Sequence, residues 1–175
     1  QTPGLHVGGK AALAWRGVRQ NIAFREHPNL WGDTPRRLAE WFTQRFPASY
    51  QATQLFDDAL PQGFGLQPLP PGDPRALVSV PERAMLELLS DVGKVQSLAE
   101  ARDLVESLSG LREKVLNRLL RHTTRIKVVR MAATFATDMK LPWAALATRH
   151  SERIGGGARW VAVGRTGERL DLRRP

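Results

Sequence analysis

The sequence predicts an α+β fold: a small mixed sheet with helices in the first half, a helical cluster in the second, and a C-terminal β-hairpin. Three observations carry this. Short apolar segments alternate with helical ones up to about residue 80. From Pro81 to Met139, apolar residues recur at spacings of three and four between capping signals and glycines. Near the end, two short segments flank the glycine-bounded turn Gly164–Gly167.

The elements follow in order. Leu5-His6-Val7 is a short extended piece broken by Gly8-Gly9, and 10–18 is rich in helix-forming residues. Asn21–Phe24 and Asn29–Trp31 are candidate strands. Thr34 is placed to cap a helix whose first turn holds Pro35 and whose end is Pro47, with Leu38, Trp41, Phe42 and Arg45 at helical spacing. Tyr50–Phe56 alternates as a half-buried strand does. Asp57–Pro74 holds five prolines and three glycines and reads as a long loop.

Arg75–Val80 is a strand. Ser79-Val80-Pro81-Glu82 reads as a capping box opening a helix with Ala84, Met85, Leu88 and Leu89 on one stripe, ended by Gly93. Ser97-Leu98-Ala99-Glu100 is a second capping box, and Gly110 closes the helix it opens. Amphipathic helices are expected over 111–122 and 125–139, then a short helix after Trp143 ending near Thr148. The terminal hairpin pairs 159–163 with 168–172. No sequence period links the helices as repeats. Residues 1–80 are thus an α/β part and 81–175 a helical part, together one compact domain.

Composition narrows the function. The 175 residues are 42% hydrophobic and 25% charged, with no Cys, which removes disulfides, thiol nucleophiles and Cys-ligated metals. The longest uncharged apolar stretch, Leu141 to Ala147, is far too short to span a membrane, and no signal peptide opens the chain. A soluble, cytoplasmic protein is expected. Net charge is +9, and 18 of the 26 basic residues lie in 81–175. That asymmetry points to a polyanionic partner, nucleic acid first; the plainer alternative is a solubilising surface.

The strongest local feature is the charge of residues 111–130. Lys114, Arg118 and Arg121 fall at i, i+4 and i+7, opposite the stripe of Leu111, Val115, Leu116, Leu119 and Leu120. Arg112 flanks them, and Arg125, Lys127 and Arg130 carry the charge onward, against one acidic residue, Glu113. Such a row repels itself unless an anion relieves it; the alternative is a solvated face whose long stems cover apolar surface. A second group, Arg149, Arg153, Arg159, Arg165, Arg169, Arg173 and Arg174, follows. Arg159, beside a glycine-rich turn, is the one placed to approach a phosphate. The nucleic-acid candidates are therefore Arg112, Lys114, Arg118, Arg121, Arg125, Lys127, Arg130 and Arg159.

Signals for catalysis are poor. His6, His27, His122 and His150 are scattered without metal spacing, and no cofactor or metal is expected. Asp57-Asp58 lacks obvious partners. Gly8-Gly9-Lys10 lacks phosphate-loop spacing and reads as a tight strand-to-helix turn. Of the five Trp, three lie on helical stripes or strand centres and are read as core, and Trp160 is read as core of the hairpin. No enzyme is expected.

The motifs carry a resemblance. Leu5–Leu13 (LHVGGKAAL) resembles the "hVGG-x-x-AL" opening of AbiEi-type antitoxins. Ser79–Leu89 (SVPERAMLELL) resembles that family's "S-x-PERA-x-LELL" segment. Arg125–Arg130 (RIKVVR) is similar to its "S-x-KV-x-R" stretch, and Trp143 with Gly155–Arg159 to its closing "W…LGxGxR" pattern. Thr124 stands where the family usually has Ser, and Arg19–Ile22 lacks the His-Tyr pair of relatives. The resemblance implies an antitoxin and transcriptional regulator of a type IV toxin–antitoxin system of phage defence (abortive infection). The toxin it implies is a nucleotidyltransferase-like protein, with or without direct contact. It also implies a winged helix preceding this region. The chain is then expected to be the C-terminal, antitoxin-bearing part, with DNA as partner through the winged helix and the basic surface. The alternative is an accessory DNA-binding domain with no antitoxin activity of its own.

Overall fold

The computed structural model describes residues 4–18, 28–32, 38–69 and 72–154, and the backbone of 160–163 and 169–172. The predicted strand Asn21–Phe24, the cap at Thr34 and the candidate Arg159 lie outside these residues.

The α+β architecture is as expected. Strand β1 (His6–Val7) leads into α1 (Gly9–Trp15), followed by β2 (Asn29–Gly32), α2 (Glu40–Arg45) and β3 (Ser49–Ala52). Then come β4 (Leu66–Pro68), β5 (Leu77–Ser79), α3 (Pro81–Asp91), α4 (Leu98–Glu106), α5 (Glu113–His122), α6 (Ile126–Asp138) and α7 (Ala144–Ile154). The last elements are β6 (Trp160–Val163) and β7 (Arg169–Leu172). The first five strands form one mixed sheet in the order β3-β2-β1-β5-β4, with β1 parallel to β5 and antiparallel to β2. The terminal hairpin pairs Trp160 with Leu172 and Val163 with Arg169.

Several boundaries differ from expectation. Helix α2 begins at Glu40 with Ala39 as its cap residue, so Leu38, which the spacing places on its stripe, precedes it. Strand β4 lies inside the segment read as loop and pairs antiparallel with β5. Its Pro68 is tolerated because β4 is the outer strand of the sheet. Helix α7 runs to Ile154 rather than stopping near Thr148, because Leu146, Ala147, His150 and Ser151 keep one buried face along its length. The expected strand Tyr50–Phe56 is shorter, although Phe56 bridges to Thr123 beyond it.

The centre of the molecule is α3, whose residues from Glu82 to Asp91 are all buried. Its apolar stripe of Ala84, Met85, Leu88 and Leu89 is nearly inaccessible and joins one continuous core with α1, α4, α5 and α6. Half of the second capping box is present: Ser97 Oγ accepts the Glu100 amide, while the Glu100 carboxylate accepts from Gln96 Nε2 and pairs with Lys10. The first is not. Val80 is the cap residue of α3, and the Ser79 hydroxyl donates instead to Glu87 at 2.8 Å. Because Val80 rather than Ser79 stands at the cap position, the Ser79 oxygen is one residue too early to accept an amide of the first turn. Trp31 and Trp143 are core, whereas Trp15 and Trp41 are exposed, Trp41 because α2 buries none of its residues.

Candidate nucleic-acid interface

The signature segment of α3 is a buried ionic framework. Glu87 accepts four hydrogen bonds: from His6 Nε2, the Gly9 amide, Ser79 Oγ and Arg83 Nε, at 2.8–2.9 Å. Burial pushes its carboxyl up, but the charges and hydrogen bonds of His6 and Arg83 outweigh this and hold it below the usual carboxylate range. The His6 ring also donates through Nδ1 to the Gly4 carbonyl at 2.6 Å. Gly9 holds φ +54°, and a Cβ on Gly8 would stand 2.5 Å from Glu87 Oε2, so the glycines make the close turn the sequence implied. Arg83 also donates to the Phe64 carbonyl and lies over the Phe56 ring.

Glu82 takes the first of the predicted phosphate contacts. Arg112 donates to it through its amide, Nε and Nη2 at 2.8–3.0 Å. Burial pushes the Glu82 carboxyl up, and Arg112 outweighs that and holds it low.

The other candidates separate by helix. On α5, Lys114, Arg118 and Arg121 are exposed along one face, as the spacing predicted. Arg118 lies over the Phe64 ring at 4.7 Å. On α6 the side chains turn inward. Arg125 donates to Ser90 Oγ and Lys127 to the Val92 carbonyl at the C-terminal end of α3. Burial, then the charges of Lys94 and Arg125, lower the Lys127 pKa. Arg130 is 4% exposed and belongs to the interior. The charge count over 111–130 does not reveal this division, because it depends on how α6 is rotated against α3.

The second arginine group supplies two residues the row lacked. Arg149 and Arg153 lie on α7 beside α5, and Arg153 Nη2 donates to the Arg121 carbonyl at 3.2 Å. Beneath them, His150 Nε2 meets Asn117 Oδ1 at 2.7 Å.

Asp57 accepts from His122 Nδ1 at 2.8 Å and from the Ala59 amide. Desolvation pushes its carboxyl up, but these bonds outweigh it and hold it low. It borders a cavity of about 330 Å³ that His6, Asp58, Arg83 and Glu87 also line; His6 and Arg83 pair there with Glu87, Asp57 pairs with His122, and Asp58 accepts from Gln54 Nε2. Among the described residues, no group of three or more His, Asp or Glu could hold a metal ion. No helix among them is long and apolar enough to cross a membrane.

A family model described as "Transcriptional regulator, AbiEi antitoxin, Type IV TA system" matches residues 25–172. The chain belongs to this family of AbiEi antitoxins. Its fold is similar to that of the RV2827C protein from Mycobacterium tuberculosis, with a TM-score of 0.60 at 14% identity over 90% of this chain. The chain spans 55% of that protein. No curated protein matches the sequence.

Proposed function

We propose that this chain is the effector and regulator part of a type IV antitoxin, neutralising the effect of a nucleotidyltransferase-like toxin in the cytoplasm and lending a basic surface to DNA. The observation that supports DNA contact is the α5 face. Lys114, Arg118 and Arg121 are exposed there, and among the described residues none is ion-paired with a carboxylate. Three cations in a row on one helix repel one another, and a polyanion relieves that repulsion. Arg112 contributes at the margin, its charge largely answered by Glu82. Arg125, Lys127 and Arg130 support the surface from within rather than touching phosphate. Operator recognition falls to a winged helix, and the affinity of this surface is set by charge rather than by sequence.

The test is twofold. Binding to duplex DNA is followed by fluorescence anisotropy across a salt series, for the native chain and a Lys114→Glu/Arg118→Glu/Arg121→Glu variant. The same two proteins are co-expressed with the toxin encoded beside them. Salt-steep binding lost in the variant, with rescue retained, supports both halves of the proposal. Unchanged DNA affinity overturns the DNA assignment, and absent rescue by the native chain overturns the antitoxin role, leaving an accessory DNA-binding domain.

A further inference from the structure

The seam between α5 and α7 holds a cluster that neither helix shows alone. Arg149 and Arg153 are one helical turn apart on α7 and both exposed, and Arg121 faces them from the last turn of α5. Arg153 Nη2 reaches the Arg121 carbonyl and stands 3.5 Å from His150 Nδ1. His150, 7% exposed, is bonded on its other side to Asn117 of α5. The chain Asn117–His150–Arg153–Arg121 therefore stitches the two helices together and holds the Arg153 guanidinium at the seam, and the charges of Arg121 and Arg149 also reach His150. Among the described residues, no carboxylate is ion-paired with Arg121, Arg149 or Arg153.

We propose that Arg121, Arg149 and Arg153 form a phosphate-binding site at the α5–α7 seam, which takes a backbone phosphate of nucleic acid. The chemistry is that of planar guanidinium donors, which match tetrahedral oxyanions and keep their charge at any physiological pH. Cations that pair with no carboxylate among the described residues are relieved by an external anion. The site lies at the end of the Lys114–Arg118–Arg121 row and turns it from α5 onto α7, so a phosphate track crosses the seam. This rests on the proposed contact with nucleic acid.

His150 reports on the site. Burial lowers its pKa first, and the charges of Arg153, Arg121 and Arg149 lower it further. An anion seated among the arginines offsets their charge and lets the ring take up a proton more readily. The experiment follows the His150 ring signals of the full chain by NMR across a pH series, without and with sulfate, a phosphate mimic whose charge is constant in that range. Arg149→Gln is the variant to compare, because Arg149 makes no hydrogen bond within the described residues. The expected result is an alkaline move of the His150 midpoint with sulfate in the native chain and a smaller one in the variant. In parallel, Arg149→Gln should lower the salt slope of duplex binding by about one. A His150 midpoint indifferent to sulfate, or a variant with the native response and salt slope, overturns the seam site. A sulfate response without any duplex binding keeps the anion site and overturns the nucleic-acid reading instead.

Discussion

The backbone amide of Gly9 donates to the carboxylate of Glu87 at 2.9 Å, across 78 residues of sequence. The two segments most characteristic of the chain, one glycine-rich and one built on Pro-Glu-Arg-Ala, are thereby in direct contact. The start of α1 does bind an anion, but the anion belongs to α3. This accounts for the glycines and the charged residues together, as parts of one framework in the fold.

Glu87→Gln removes a buried negative charge while the buried Arg83 keeps its positive one. Breaking a buried pair in this way costs about 3–5 kcal/mol. Gly8→Ala places a methyl group 2.5 Å from Glu87 Oε2 and 2.6 Å from the Trp31 ring, an overpacking that costs about 1–3 kcal/mol. Urea midpoints measure both, and a native midpoint for either variant contradicts the framework.

The Glu82–Arg112 pair predicts an acid limb in stability. The folded Glu82 carboxyl lies below its ordinary value of 4.5, so its contribution is complete above that value. It is lost as pH falls through the lower folded value. Glu82→Gln should therefore destabilise the chain at neutral pH and flatten the decline below pH 4.5. Stability measured by denaturant titration at several pH values checks this, and a parallel decline in both proteins contradicts it.

His150 predicts a second, milder limb. Its folded pKa is below the ordinary 6.5 because it is buried and then because arginines surround it. Above 6.5 the ring is neutral in both states and the effect is nil. As pH falls below 6.5 the unfolded chain takes up the proton first, so stability declines. Replacing His150 with Gln should remove that decline between pH 6.5 and the carboxylate range. Thermal unfolding at constant ionic strength decides it, the idea failing if the slope there is unchanged.

Substitutions within the basic segment should divide by helix. Lys114→Glu and Arg121→Glu alter exposed side chains and should leave the unfolding midpoint within about 0.5 kcal/mol of native while weakening DNA binding. Arg118→Glu loses in addition its place over Phe64, about 0.5–1 kcal/mol. Arg130→Glu buries a negative charge in the interior and should unfold the chain before any binding is measured. Circular dichroism alongside anisotropy separates the two classes, and a folded, binding-deficient Arg130 variant would contradict the division.

The sequence disclosed what is local. The Ser97 cap, the apolar stripe of α3 and the face shared by Lys114, Arg118 and Arg121 all depend on residues within two helical turns. What it concealed depends on distant partners. Glu82 meets Arg112 and Arg83 meets the Phe64 carbonyl, contacts no short-range pattern contains. Ser79 has the spacing of a cap, yet the helix takes Val80 as its cap residue and the Ser79 hydroxyl donates to Glu87 eight residues on. The length of α7 was hidden because Thr148-Arg149-His150-Ser151 is polar in composition. Its buried side is a histidine held by Asn117 and a serine, which a search for apolar residues passes over. With that boundary moved, Arg149 and Arg153 change from scattered charges into neighbours of Arg121.

The order of the sheet separates two kinds of boundary. The match to the family begins at residue 25, whereas β1 lies between β2 and β5 and donates His6 to Glu87. A truncation at residue 25 would split the sheet down its middle and strip the central carboxylate of two of its four donors. The smallest unit able to fold therefore reaches back past the aligned region to the first strand, and the alignment marks kinship rather than mechanical independence.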